Sequence, residues 1–255
     1  MILRPLNPPE ASVENIATAW DAILRTQKQA ATGWRLITQC DHAELAGQMA
    51  SRINHPDFPV LDADVIRAIE LHDCGWTEVD NPRQTKLNPR GRPVSFFEES
   101  PSDIFRAWHG SIDCASAVTP IAGILVSEHF CRIAYDFSHA PGTASDMAQV
   151  LTTFLERQRE AQAELCALQD RSSELIRELT DVLQFCDLLS LYVCCGAKES
   201  IEFPQKFNGR TISLHKKGEA YCLEPSLFKG GASLAIEAYN FPNATGATTI
   251  PILLV

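Results

Sequence analysis

Apolar side chains recur at helical spacing through most of the first 195 residues and switch to two-residue alternation afterwards. Residues 1–6 read as a short strand. Val13, Ile16, Ala17, Trp20, Ile23 and Leu24 predict a helix from about Glu10 to Ala31, closed by Gly33. Trp34 to Ile37 is a short apolar approach to the next helix. That helix is predicted to start at Asp41, with Glu44 completing a capping box, and to run to about Ile53. Asp62 caps a third helix whose buried face carries Val65, Ile66 and Ile69; Gly75 stops it. Further helices are expected from near Asp103, over Pro120–Phe137, Thr143–Leu168 and Arg171–Cys195. The second half of the last is apolar on almost every side, which makes it a central helix.

Past Gly196, short runs at Ile201–Phe203, Thr211–His215, Ala220–Leu223, Leu234–Phe241 and Ile250–Leu254 read as strands between Gly, Pro and Asn. The expectation is a mainly α protein: a helical bundle over 1–197 and a small antiparallel β appendage over 198–255. The segment 77–102 interrupts the helices with Pro82, Pro89, Gly91, Pro93 and Pro101 and no periodicity, as lids and binding loops do.

Composition narrows the function classes. A hydrophobic content of 45% and a charged content of 21% are those of a soluble globular protein. The net charge of −10 argues against nucleic acid or an acidic membrane as partner. No stretch is long and apolar enough to span a membrane, and the first residues do not read as a signal peptide. The nine cysteines form no CxxC pair; with Cys114, Cys131, Cys186 and Cys194 on apolar faces, they predict free thiols in a reducing cytoplasm.

Against that background one polar series stands out: His42, His72 with Asp73, His109, His129 and Asp187, each in an apolar helical stretch. Asp187 lies on the buried face of the central helix, where a lone carboxylate costs several kcal/mol unless a cation or capped backbone offsets it. Imidazole and carboxylate are ligands of borderline first-row metals. His55, His139 and His215 lie in loop or strand contexts and carry no such expectation.

The ordered set His42, His72-Asp73 and Asp187 resembles the ligand pattern of the HD-domain superfamily, helical metal-dependent hydrolases. His109 and His129 resemble the addition made by its two-metal branch. The segments Leu36 to Ala50 and Leu71 to Trp76 are similar to a bacterial HD-like family of unknown function, and the likeness extends over about 36–195, with Ala238 to Pro242 in the tail. The resemblance implies two divalent ions (Fe, Mn, Mg, Ni or Zn). His42, His72, Asp73 and Asp187 would hold one; Asp73 would bridge to a second completed by His109 and His129.

It also implies a small-molecule substrate, phosphorylated in the hydrolase reading, and leaves room for a homodimer. In that reading a hydroxide between two ions attacks a phosphoester. Asp73, Lys86 and Asp113 are the catalytic candidates; Arg83, Arg90 and Arg132, with Arg92 beside them in the loop, are the substrate-binding candidates. The same ligands serve the mixed-valent diiron oxygenases of the superfamily, and a non-catalytic metal-binding or regulatory protein is the third expectation. Residues 74–76 read Cys-Gly-Trp, so the cyclic-dinucleotide branch is disfavoured.

Overall fold

The computed structural model describes residues 1–7, 17–243 and 246–255. In chain order the elements are β1 (Ile2–Pro5), β2 (Ala17–Thr18), α1 (Ala19–Lys28), β3 (Trp34–Ile37), α2 (Gln39–Ala50) and α3 (Ala63–Leu71). After two 3-10 turns, Cys74–Glu78 and Phe96–Glu98, come α4 (Pro101–Ser116), α5 (Pro120–His139), α6 (Ser145–Cys166) and α7 (Ser173–Cys195). The chain closes with β4 (Ile201–Phe207), β5 (Arg210–Lys217), β6 (Ala220–Glu224), β7 (Ala232–Phe241) and β8 (Ala247–Leu254). The expected start of the first helix, Glu10–Ile16, lies outside the described residues.

The helices end where local chemistry ends them. Asp62 caps α3 through the Val65 N–H, and Gly196 closes α7 in the left-handed region with φ 69°. The start of α2 differs from expectation: Thr38, not Asp41, is the cap, accepting from the Asp41 N–H at 3.0 Å. Asp41 instead accepts from the Thr38 hydroxyl.

The expectation of a mainly α chain with a small antiparallel appendage is overturned. The strands form one mixed eight-stranded sheet in the order β1-β3-β7-β8-β6-β5-β4-β2. Three strands come from the N-terminal part: β3 pairs with β1 and β7, and β2 pairs with β4. The β2–β4 and β6–β8 pairs are parallel, the rest antiparallel. Pro204, which cannot donate to a ladder, falls where the β4–β5 register shifts.

Alternation along β7 buries Ala232, Leu234, Ile236 and Ala238 against the helices. The central helix α7 carries the join. Phe185 packs edge-on against Phe203 of β4 at 4.8 Å, and Tyr192 against Tyr221 of β6 at 6.0 Å. Sheet and helices therefore share one hydrophobic core. Among the described residues no helix is long and apolar enough to cross a membrane.

Candidate metal centre

Four helices bring five of the six expected ligands to one buried place. His42 lies in the first turn of α2, and His72 closes α3. Asp73 opens the following 3-10 turn, His129 lies midway along α5, and Asp187 lies on α7. All five are buried. Ligand atoms of His42, His72 and Asp187 lie within 4.8 Å of one another. The Asp73 carboxylate joins them: its Oδ2 is 2.9 Å from His42 Nε2 and 3.8 Å from His72 Nε2.

The surrounding hydrogen bonds determine which ring nitrogens are free. The Ser190 hydroxyl donates to the Asp187 carbonyl at 2.9 Å, so at 2.8 Å it accepts from His42 Nδ1. His72 Nδ1 donates to the Ile69 carbonyl at 2.7 Å. Both rings therefore turn Nε2 inward, the atom a metal would take in exchange for a proton: His42 Nε2 is hydrogen-bonded to Asp73 Oδ2 at 2.9 Å, and His72 Nε2 faces Asp187. His72 Nε2 approaches Asp187 Oδ1 at 3.4 Å without the alignment of a hydrogen bond. His129 Nδ1 is likewise buried without a partner, and its Nε2 lies 3.9 Å from Asp187 Oδ2. Among the described residues the ion-pair partners of Asp73 and Asp187 are imidazoles, with no Lys or Arg. Two buried carboxylates with only imidazoles beside them call for a cation, so the donor set fits a divalent ion.

The electrostatics carry the same signature. Burial alone would lower the His72 pKa; the Asp73 charge and the Asp187 contact overrule it and lift it to about 9. Burial alone would raise Asp187, yet His72 beside it holds its carboxyl below the usual range. In the metal-free site a proton on His72 does part of a cation's work. Burial pushes His129 down to about 4 against the pull of Asp187, so this ring is neutral.

Several further side chains hold the ligands. The Trp76 indole donates to Asp73 Oδ1 at 3.1 Å and leaves Oδ2 for the cluster. The turn after Asp73 lies against α4, where the Gly75 N–H donates to the Ser111 hydroxyl at 3.0 Å. A Cβ on Gly75 would come within 2.1 Å of the Ala107 carbonyl oxygen. Ser190, Trp76 and Ser111 were not singled out from the sequence. A Ser three residues after Asp187 on a helix buried all round was the available signal.

Other expected site residues lie elsewhere. His109 is exposed, and its ring meets Phe154 at 5.4 Å. Trp108 and Ile112 take the buried face of α4, and the next residue is turned about 100° away from Trp108. The structure therefore does not bring His109 and His129 together. Asp113 is exposed. Lys86 pairs with Glu99 at 2.7 Å and Asp103 at 3.3 Å. Arg83 and Arg90 are exposed, with their N–H groups used in turns on Asn81 and Asn88. Arg92 binds the Gln27 carbonyl and Glu98. Arg132 binds Asp181 and Gln184.

A model of the family described as "Protein of unknown function (DUF3891)" matches residues 23–243. The chain belongs to this family. No curated protein and no solved structure matches the chain. The family match spans all five clustered residues and attaches no reaction to them.

A cavity of about 480 Å³ opens on the cluster, and Asp73, His129 and Asp187 contribute to its lining. This volume falls in the range of about 300–1,000 Å³ usual for small-molecule sites.

Proposed function

We propose that this protein is a metal-dependent hydrolase of small molecules, with one divalent ion held by His42, His72, Asp73 and Asp187. The observation that carries the reading is the pair of Nε2 atoms of His42 and His72 turned onto two buried carboxylates that no Lys or Arg neutralises among the described residues. The order of these ligands in the chain resembles that of the HD-domain superfamily, which supports the hydrolytic reading. One ion is proposed because His109, on which a second set depended, lies at the surface.

A divalent ion in this place supplies Lewis acidity: it acidifies water and polarises a substrate oxygen. The chain's own residues prepare the ground. Ser190 and the Ile69 carbonyl hold two imidazoles by Nδ1 and so turn their Nε2 atoms to the cluster. Trp76 fixes Asp73. His129 remains a neutral ring at the cavity wall, able to hydrogen-bond water or a substrate group.

A second reading rests on a specific feature. His42, His72 and Asp187 are two imidazoles and one carboxylate, the ligand set of non-haem iron oxygenases. The discriminating experiment is metal analysis of aerobically and anaerobically purified protein, followed by assays with Mn²⁺, Zn²⁺ or Fe²⁺. Turnover of ester, amide or phosphoester substrates with a redox-inert ion, lost in His72→Gln, supports hydrolysis. Iron-dependent O₂ consumption without hydrolysis replaces it with the oxygenase. A protein that takes up no ion under any of these conditions overturns both.

A further inference from the structure

The cavity beside the cluster is walled by rings and branched chains. From α5, His129, Ile133 and Phe137 line it at four-residue spacing, so it runs about 12 Å along that helix, away from the ligands. The facing wall is Ile104, Phe105 and Trp108 of α4. Phe96 and Phe97, from the 3-10 turn before α4, and Met147 and Leu151 of α6 enclose the remainder. Three of the four tryptophans, Trp20, Trp76 and Trp108, face this one space.

No Lys or Arg lines it, and residues 8–16 and 244–245 contain neither. The basic residues of the segment 77–102 do not line it either: Lys86 and Arg92 are held by acidic partners, and Arg83 and Arg90 point to solvent. A phosphate entering beyond the ion would therefore meet aromatic walls and two carboxylates.

One further polar group lines the cavity, one helical turn before His42 on α2. Gln39, the first residue of α2, is 2% exposed and lines the cavity, yet its side-chain oxygen has no hydrogen-bond partner. A buried amide oxygen left unpaired is costly; a half-turn of the amide exchanges its oxygen and nitrogen, and a ligand donor that pairs with the oxygen recovers that cost.

We infer that this site takes an uncharged molecule with an aromatic or branched apolar body lying along α5. A neutral hydrogen-bonding group, such as an amide, meets Gln39 beside the ion. The inference rests on the metal-site reading for where the reacting group lies. It replaces the phosphorylated substrate expected from the sequence with an apolar one, and it holds for either reaction class.

Quenching of tryptophan emission tests it, since three indoles face the space. The probes are 4-nitrobenzamide, 4-nitroanisole, which lacks the donor, and 4-nitrophenyl phosphate, each titrated into Mn²⁺-loaded and chelator-treated full-length protein. The expected result is saturable quenching by 4-nitrobenzamide with and without the ion, at least tenfold tighter than by 4-nitrophenyl phosphate. Phe137→Glu, at the exposed mouth, should weaken 4-nitrobenzamide at least fivefold. Gln39→Met should weaken 4-nitrobenzamide while leaving 4-nitroanisole within twofold.

Absence of saturable quenching, tighter binding of the phosphate, or no response to either Phe137→Glu or Phe97→Glu would overturn the inference. A loss of both neutral probes in Gln39→Met would remove the hydrogen-bonding half of it. These outcomes are separable from failure of the metal reading. A protein that binds no ion yet passes the neutral-probe titrations sinks only the proposed hydrolase. A protein that binds one ion and cleaves phosphoesters but fails the titrations sinks only the apolar substrate.

Discussion

His72 donates its Nδ1–H to the carbonyl of Ile69 at 2.7 Å, one helical turn earlier, and so turns its Nε2 to Asp187 at 3.4 Å. The end of α3 thus aims into the cluster a histidine that could otherwise have been a satisfied core residue. Its neighbour Asp73, placed by the next turn, points into the same cluster.

Metal content separates the clustered histidines from the exposed one. Purified protein should carry one ion per chain, and His72→Gln or Asp187→Asn should lose it. His109→Ala should keep it in full. Elemental analysis after gel filtration reads this directly; two ions per chain, one of them lost in His109→Ala, would restore the dinuclear arrangement.

Ser190 acts through His42. Ser190→Ala removes the acceptor that holds the His42 Nδ1 proton in place, and loss of such an outer partner typically costs about 10–100-fold in metal affinity. The expected outcome is that loss in a chelator competition, with an unchanged far-ultraviolet circular dichroism spectrum. Unaltered affinity would show that His42 needs no such orientation.

Gly75 is a packing requirement. In Gly75→Ala the new methyl meets the Ala107 carbonyl oxygen at 2.1 Å and the Ser111 nitrogen at 2.5 Å, so α4 or the Asp73 turn must move. Overpacking of this kind costs about 1–3 kcal/mol. Urea unfolding of the metal-free variant should show that loss, whereas Gly246→Ala, whose Cβ meets nothing within 4 Å, should behave as wild type.

Proton linkage follows from the two displaced imidazoles. His72 rises from 6.5 to about 9 on folding, so its contribution to stability is full below about 6.5 and lost as pH climbs through 9. His129 falls from 6.5 to about 4, so its neutral ring favours the fold above 6.5, and that benefit disappears as pH drops towards 4. Chelator-treated protein should therefore be most stable near pH 6.5. Metal must displace the His72 proton, so affinity should rise between pH 6.5 and 9, with proton release visible in calorimetry in buffers of different ionisation enthalpy. A flat pH response of both stability and affinity would remove His72 from the ligand set.

Much of this protein is decided by local pattern. Helical periodicity located α3 to α7 within a few residues, because a stripe of Val, Ile and Leu at three- and four-residue spacing has one conformation in which it can be buried together. The strands after Gly196 were legible from alternation in the same way, each observed strand running somewhat longer than its expected core. The clustering of His42, His72, Asp73, His129 and Asp187 was legible because imidazoles and carboxylates on otherwise apolar helical stretches converge when those stretches share a core.

Tertiary structure decided the rest. Pairing between strands distant in the chain leaves no local trace, so Trp34–Ile37 read as an approach to a helix although it joins β1 to β7. That strand beside β7, and β2 beside β4, turn a supposed appendage into part of one sheet. The facing of His109 was also beyond local reading: a residue at the rim of a helical stripe is buried or exposed according to what packs beside it, and α4 gives its buried face to Trp108 and Ile112. The walls of the cavity are the clearest case. Rings scattered over five elements read individually as ordinary core, and only the packing of α4, α5 and α6 leaves an apolar space beside the ligands. Residue chemistry is carried by the chain itself, whereas the identity of the residues sharing one enclosed volume is a property of the packing alone.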